Sequence, residues 1–179
     1  QTKIGADEYI TTNTNLEFTK SQHLVLTYDW NISDHLRLKA ETYYQELSNV
    51  PVERNSSSFS AINIGSSFAP SDQDSLVNNG IGTNYGFELT AERFFNKGFY
   101  FLITTSLFNS RYESSDEFER NTAFNTQYVA NVLAGKEWQV GKNKKSFLSL
   151  NLKVTTIGGK YLTPIDFDAS QELGRTVYR

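Results

Sequence analysis

Apolar and polar residues alternate along most of this chain, most clearly in residues 84–111. In residues 85–91 and 99–107, every second side chain is apolar or carries a methyl group. Such period-two alternation predicts β-strands with one apolar and one polar side, and Asn96–Gly98 predicts the tight hairpin turn between them. The residues of the second run that we assign to the polar side include Thr104, Ser106 and Asn109.

The same alternation predicts about six long strands, which lie near residues 22–32, 35–47, 84–95, 99–112, 123–140 and 146–157. In the fifth strand two small apolar sets compete, so its faces stay open: Tyr128, Ala130, Val132 and Ala134 against Val129, Leu133 and Gly135. Soluble strands usually run about five or six residues, whereas a transmembrane β-strand needs about 9–11. The expected fold class is all-β, an antiparallel up-and-down meander forming part of a transmembrane β-barrel wall.

The connections between these strands alternate in length. They are short at residues 33–34, 96–98 and 141–146, and longer at about 48–80, 113–121 and from 158 onward. Tight turns on one rim and extended loops on the other are typical of outer-membrane barrels. Aromatic residues gather near the strand ends, as interfacial girdles do: Trp30, Phe94, Phe95, Phe99, Trp138 and Phe147 near the short turns, and Tyr44, Tyr85, Phe108, Tyr112 and Tyr128 toward the long loops.

Composition narrows the class of protein further. Among the 179 residues no apolar run approaches the 18 that a transmembrane helix requires, and the mean hydropathy is −0.48. The net charge of −3 offers no basic footprint for nucleic acid, and without cysteine there is no thiolate or disulfide chemistry. Six strands are too few for a closed barrel, since bacterial single-chain barrels begin at about eight strands. We therefore expect residues 1–179 to be a partial barrel wall without a plug domain.

Candidate chemical sites are few. Polar-side charges are expected mainly to pair across neighbouring strands, with some able to touch substrate or plug; they are Arg37, Lys39, Glu41, Glu88, Glu92 and Lys153. Asp72–Asp74 and Asp116–Glu119 could ligate Ca²⁺, but neither has calcium-loop order, and a solvated loop is the favoured interpretation. His23 and His35 match no metal or triad spacing. The turn with Lys142, Lys144 and Lys145 is interpreted as solvated, with lipid headgroup contact as the alternative.

Several segments together resemble the late barrel strands of TonB-dependent outer-membrane receptors, in particular the Bacteroidetes type with a carboxypeptidase-like regulatory domain. The resemblance covers most of residues 20–178 and consists of wall segments, with no catalytic fingerprint. The segments that carry it are Leu38–Gln45, Val50–Val52, Asn84–Phe94, Asn96–Gly98, Tyr100–Leu102, Ser106–Phe108, Arg120–Thr122, Gly135–Glu137 and Gly158–Asp166.

This resemblance implies energy-coupled uptake of a bulky solute through a plugged barrel of about twenty-two strands in a bacterial outer membrane. The partners it implies are the rest of the barrel, the plug, the TonB system, outer-membrane lipid and the solute. No enzymatic activity, cofactor or metal is expected. Two alternatives stay open: a soluble or surface β-sandwich that binds glycans through exposed aromatics, and a β-rich hydrolase, for which no catalytic set is evident.

Overall fold

The computed structural model describes residues 2–3, 9–10, 12–64, 73, 75–161 and 167–174. Nearly all of its regular structure is β. The strands are β1 (Thr2–Lys3), β2 (Tyr9–Ile10), β3 (Lys20–Ser33), β4 (Leu36–Glu53), β5 (Leu76–Asn96), β6 (Phe99–Glu113), β7 (Glu119–Asn121), β8 (Tyr128–Val140) and β9 (Ser146–Ile157). A 3-10 turn spans Ala61–Asn63, and one short helix, α1, spans Phe167–Leu173.

Seven of the strands form one antiparallel sheet in meander order, β3-β4-β5-β6-β8-β9, with β7 paired to β6. The separate pair β1-β2 joins two residues of each strand. The sheet is open, because β3 and β9 are its edges and do not pair with each other. The predicted all-β antiparallel meander of six long strands is thereby confirmed.

Short turns connect the strands at one rim. In the β5-β6 turn, Lys97 and Gly98 have φ values of 51° and 72°, the left-handed conformation that a two-residue hairpin turn requires. Gly98 also accepts a backbone hydrogen bond of 2.7 Å from Glu137 on β8, which fixes this turn against the next hairpin. Local turn chemistry therefore sets the register of the hairpin, as the sequence predicts.

Two strands extend further than the predicted limits. Pairing of β4 with β5 continues to Glu53 and Leu76, beyond a break after Leu47 where the register shifts. Val50 and Val52 are buried in this extension, which explains why the strands continue past the polar residues around position 48. The predicted loop of about residues 48–80 is therefore shorter, and only residues 54–75 connect the two strands.

The fifth long strand, β8, begins at Tyr128 and not at residue 123 as predicted. Residues 123–127 form a turn around Asn125, whose buried side chain donates to the side-chain oxygens of Asn109 and Asn121, each at 2.7 Å. The sequence analysis also missed two elements, β7 within the predicted loop and α1 within the predicted polar tail.

The best-buried side chains lie at the long-loop end of the sheet. Val50, Val52 and Tyr112 are the buried hydrophobic residues there, and Ser60 and Ser114 are buried beside them. The core of the described chain is thus a small cluster where residues 54–64 fold onto β6 and β7. No helix among the described residues has the length and apolarity needed to cross a membrane.

Candidate functional site on the polar face and long-loop rim

The sheet has two chemically distinct faces, because antiparallel partners project to the same side. One register row crosses all six long strands and is apolar; it contains Trp30, Leu38, Ala91, Ile103, Val132 and Val154. The adjacent row projects to the other side and is polar; it contains Asp29, Lys39, Thr90, Thr104, Asn131 and Thr155. We call these sides the apolar face and the polar face.

The register resolves the assignment of β8, which the sequence left open. Val132 is opposite Ile103 and Val154, so Tyr128, Ala130 and Ala134 share the apolar face with it. It also corrects one prediction, because Asn109 is opposite Tyr85 and belongs to the apolar side. Asn109 lies near the strand end, where its amide donates to the Tyr85 hydroxyl at 3.0 Å.

Charged side chains on the polar face are partly paired. Arg37 on β4 binds Asp29 on β3, with its Nε 2.9 Å from the carboxylate, as expected for cross-strand pairing. Lys39 instead contacts Glu41 of its own strand at 3.0 Å. These pairs are about half exposed, so each contributes at most about 1 kcal/mol and serves mainly to neutralise the surface.

The remaining predicted polar-face charges occupy the same side of the sheet. Glu88 accepts a hydrogen bond of 3.2 Å from Ser106 on β6. Glu92 is directly opposite Arg37 in the register, and Lys153 is opposite Leu133. Glu88 and Glu92 thus lie on one strand face with hydrogen-bonding and cationic neighbours, an arrangement that indicates a hydrated surface.

Toward the long loops, the polar face carries amides and aromatic rings. Asn84 donates to Gln45 at 2.9 Å, and Gln45 donates to Ser21 at 3.0 Å, forming a hydrogen-bonded chain across three strands. His23 packs edge-on against Tyr43, with ring centroids 5.9 Å apart. Sequence analysis did not single out Tyr43, Gln45 or Asn84, although their shared polar-side parity was visible.

A cleft of about 450 Å³ lies next to this amide chain. Gly86 has no side chain and lies under the Tyr43 ring, which leaves a depression between β4, β5 and β6. The lining residues are Thr42, Tyr43, Tyr85, Gly86, Phe87, Leu107, Phe108, Asn109 and Gln127. Aromatic surfaces beside amide donors and acceptors suit a polar solute with some apolar surface.

The long-loop rim is held together by hydrogen bonds between loops distant in sequence. The Tyr112 hydroxyl donates to the Ser58 carbonyl at 3.1 Å, and Ser114 donates to the Phe59 carbonyl. Asn63 accepts from the Ala123 backbone at 3.0 Å. Residues 54–64 therefore fold down over the end of the sheet and form an ordered border above the polar face.

A second cleft of about 310 Å³ lies at the same rim. It lies between residues 12–16 and residues 75–78, with Arg54 also in its wall. Asn13 anchors the first segment, because its side chain accepts from the Leu76 backbone at 2.8 Å and donates to the Gln73 carbonyl at 3.1 Å.

The acidic loop candidates differ in outcome. Asp116 is held by Arg120 through two hydrogen bonds of 2.8 and 2.6 Å, and Glu119 is bound by Arg111 at 2.6 Å. The Arg120 guanidinium holds the pKa of Asp116 below its ordinary value of 3.8. These contacts engage the carboxylates in ion pairs, and the described residues contain no cluster of three potential metal ligands. Asp72 and Asp74 lie outside the described residues.

The remaining candidates are exposed. His35 lies in the turn between β3 and β4, where its carbonyl accepts from Phe94 at 3.0 Å, whereas His23 is on the polar face. The turn at Gly141–Lys145 is fully exposed, so Lys142, Lys144 and Lys145 lie free in solvent at the short-turn rim. The two histidines are far apart along β3, which leaves no shared site for them.

Comparison with known proteins adds no relative: no family model, curated protein or solved structure matches this chain.

Proposed function

We propose that this chain forms part of the wall of a transmembrane β-barrel in a bacterial outer membrane. In this proposal the barrel belongs to a TonB-dependent receptor and serves energy-coupled uptake of a solute, without enzymatic activity. The receptor assignment depends on the sequence resemblance, whereas the barrel assignment is supported by the geometry of the sheet. Partners would be further barrel strands, a plug, the TonB system and lipid.

One observation carries the barrel proposal: the apolar face has no protein layer over it among the described residues. On β9, Leu148, Leu150, Leu152 and Val154 are 58, 66, 57 and 49% exposed. Contiguous exposed apolar surface of this extent is rare on soluble monomers and marks contact with protein or lipid. A glycan-binding β-sandwich would require a second sheet packed on these residues.

The height of the apolar face fits a bilayer. On β8, Tyr128 and Trp138 lie on this face at its two ends and are 41 and 42% exposed. Ten residues of strand span about 33 Å, which becomes about 25 Å at a tilt near 40°. That is the height of the apolar band between the aromatic girdles of outer-membrane barrels.

The open edges of the sheet support a larger wall. The outer edges of β3 and β9 carry backbone groups that do not pair within the described sheet. In hydrocarbon such groups cost several kcal/mol each, so a sheet in lipid must close through further strands. The polar face then lines the lumen, and its cleft near Tyr43 and Gly86 would contact the solute.

Cysteine accessibility along β9 tests the barrel proposal, since the chain contains no cysteine of its own. Leu150→Cys and Leu152→Cys should resist a water-soluble maleimide in native outer membranes but react after denaturation. The matched control is Asn151→Cys, which lies on the polar face and should react in the native membrane.

Equal labelling of all three variants in native membranes would overturn the proposal, because lipid would then not cover the apolar face. Recovery of the intact protein in the periplasmic or cytosolic fraction would overturn it as well. A TonB-deletion strain tests the receptor assignment separately, because solute uptake by the intact protein should stop without TonB while membrane insertion continues.

A further inference from the structure

Two cations interrupt the apolar face at its short-turn end. Arg93 on β5 is opposite Leu36 and Phe101, and Lys136 on β8 is opposite Phe99 and Leu150. Neighbouring rows of this face are hydrocarbon or aromatic. A charged side chain on a lipid-facing surface is costly unless it reaches the interface or a partner, so both positions call for an explanation.

Both side chains surround the ring of Phe99. The Arg93 guanidinium carbon is 5.9 Å from the Phe99 ring centroid. Lys136 extends toward the turn, where its Nζ donates to the Lys97 carbonyl at 3.2 Å. Trp138 follows two residues later on the same face. The cations and the aromatic rings thus form one cluster, which we call the basic cluster: Arg93, Phe99, Lys136 and Trp138.

The basic cluster has no acidic partner on its own face. Glu92 and Glu137 are the sequence neighbours of the two cations, and both project to the polar face. Asp34 lies in the turn before β4. Among the described atoms, the Arg93 Nε is buried without a hydrogen-bond acceptor. The cluster therefore offers uncompensated positive charge and a free donor at the edge of an apolar surface.

We propose that the basic cluster binds the phosphodiester of an anionic glycerophospholipid in the leaflet at the short-turn rim. This inference rests on the proposed function, since it requires lipid against the apolar face. Arginine presents a planar fork of donors that matches phosphate oxygens, and lysine adds a point charge. Trp138 and Phe99 border the headgroup region, where aromatic rings are favoured, and the acyl chains lie along the leucines of β9.

Fluorescence quenching by brominated lipid tests the inference. The full-length protein is reconstituted into phosphatidylcholine vesicles that contain equal small fractions of either brominated phosphatidylglycerol or brominated phosphatidylcholine. Subtracting the signal of the Trp138→Phe variant isolates Trp138. Phosphatidylglycerol should be enriched beside Trp138, by about fivefold for each basic side chain that contacts it.

Two variants separate the basic cluster from general surface charge. The double variant Arg93→Gln/Lys136→Gln should lose the preference for phosphatidylglycerol, whereas Arg93→Lys, which keeps the charge, should retain most of it. The matched control Lys142→Gln/Lys144→Gln removes the same charge from the turn and should leave most of the preference intact.

Equal quenching by the two lipids in the unaltered protein would overturn the lipid site while leaving the barrel proposal standing. A preference that survives Arg93→Gln/Lys136→Gln, or that disappears equally in the turn variant, would overturn it too. Absence of quenching by either lipid would overturn both proposals, because lipid would not contact Trp138.

Discussion

At the residue scale, two glycines shape the polar face by leaving room for tyrosine rings. Gly86 lies under Tyr43, and Gly135 lies under Tyr100, whose hydroxyl bonds to Asn151 at 2.9 Å. An aromatic ring over a glycine covers a backbone that would otherwise be open to water, and it helps to fix the register. Each tyrosine therefore lies flat along the sheet and not upright into the polar space.

Gly86→Ala should destabilise the folded protein by about 1–3 kcal/mol, the usual cost of overpacking. An added Cβ would lie 2.7 Å from the Tyr43 hydroxyl and 2.8 Å from the Leu107 carbonyl, and the second contact involves backbone that cannot rotate away. Denaturant unfolding of the protein in detergent micelles measures the change.

Gly159→Ala is the matched control, because nothing lies within 4 Å of a Cβ there, and it should change stability by less than about 0.5 kcal/mol. If both substitutions had the same small effect, Tyr43 would not pack on Gly86 as described.

At the element scale, the connection between β6 and β7 is closed by the ion pair of Asp116 with Arg120. The folded-state pKa of Asp116 lies below 3.8 because of the hydrogen bonds from Arg120, with burial acting in the opposite direction. The stabilisation is therefore fully present above pH 3.8 and is lost as the pH falls through the folded-state pKa. Because Arg120 stays protonated throughout, the carboxylate alone sets this pH window.

A nitroxide attached to Phe118→Cys should report this transition. We expect its spectrum to be constant from neutral pH to about pH 4 and to sharpen at lower pH, as protonation of Asp116 releases the connection. In the Asp116→Asn background the label should be mobile already at neutral pH. A spectrum that sharpened well above pH 4 would contradict the assignment to a carboxylate with a lowered pKa.

At the scale of the whole molecule, the sheet has a hydrated face, a greasy face and a small core at one end. The well-packed side chains of Val50, Val52 and Tyr112 lie at the long-loop rim, and the long strands between the rims carry no second layer among the described residues. Hydrogen bonding between strands and the environment of the apolar face must therefore supply most of the stability.

Residues 1–179 expressed alone should fail to stay monomeric in buffer without detergent. Exposed leucines and two open strand edges both favour association. Sedimentation velocity with and without detergent measures the effect. Replacing Leu148, Leu150 and Leu152 with serine should increase the soluble fraction, whereas alanine at Ser149, Asn151 and Lys153 should not. A stable monomer in buffer would instead favour the soluble sandwich.

The sequence by itself determined the fold class, the long strands and the two faces of most of them. These features are local: a pleated strand sends successive side chains to opposite sides, and turn residues such as Asn96–Gly98 encode a hairpin without reference to the rest of the chain. The exposed apolar character of β9 could likewise be stated from alternation alone.

Tertiary structure decided everything that depends on register between strands. It assigned the faces of β8, moved Asn109 to the apolar side, extended β4 and β5 around Val50 and Val52, and placed the turn at Asn125. It also brought Arg93 and Lys136 to one aromatic ring, although 43 residues separate them along the chain. Pattern within a segment cannot specify such neighbours, because they follow from how segments align in space.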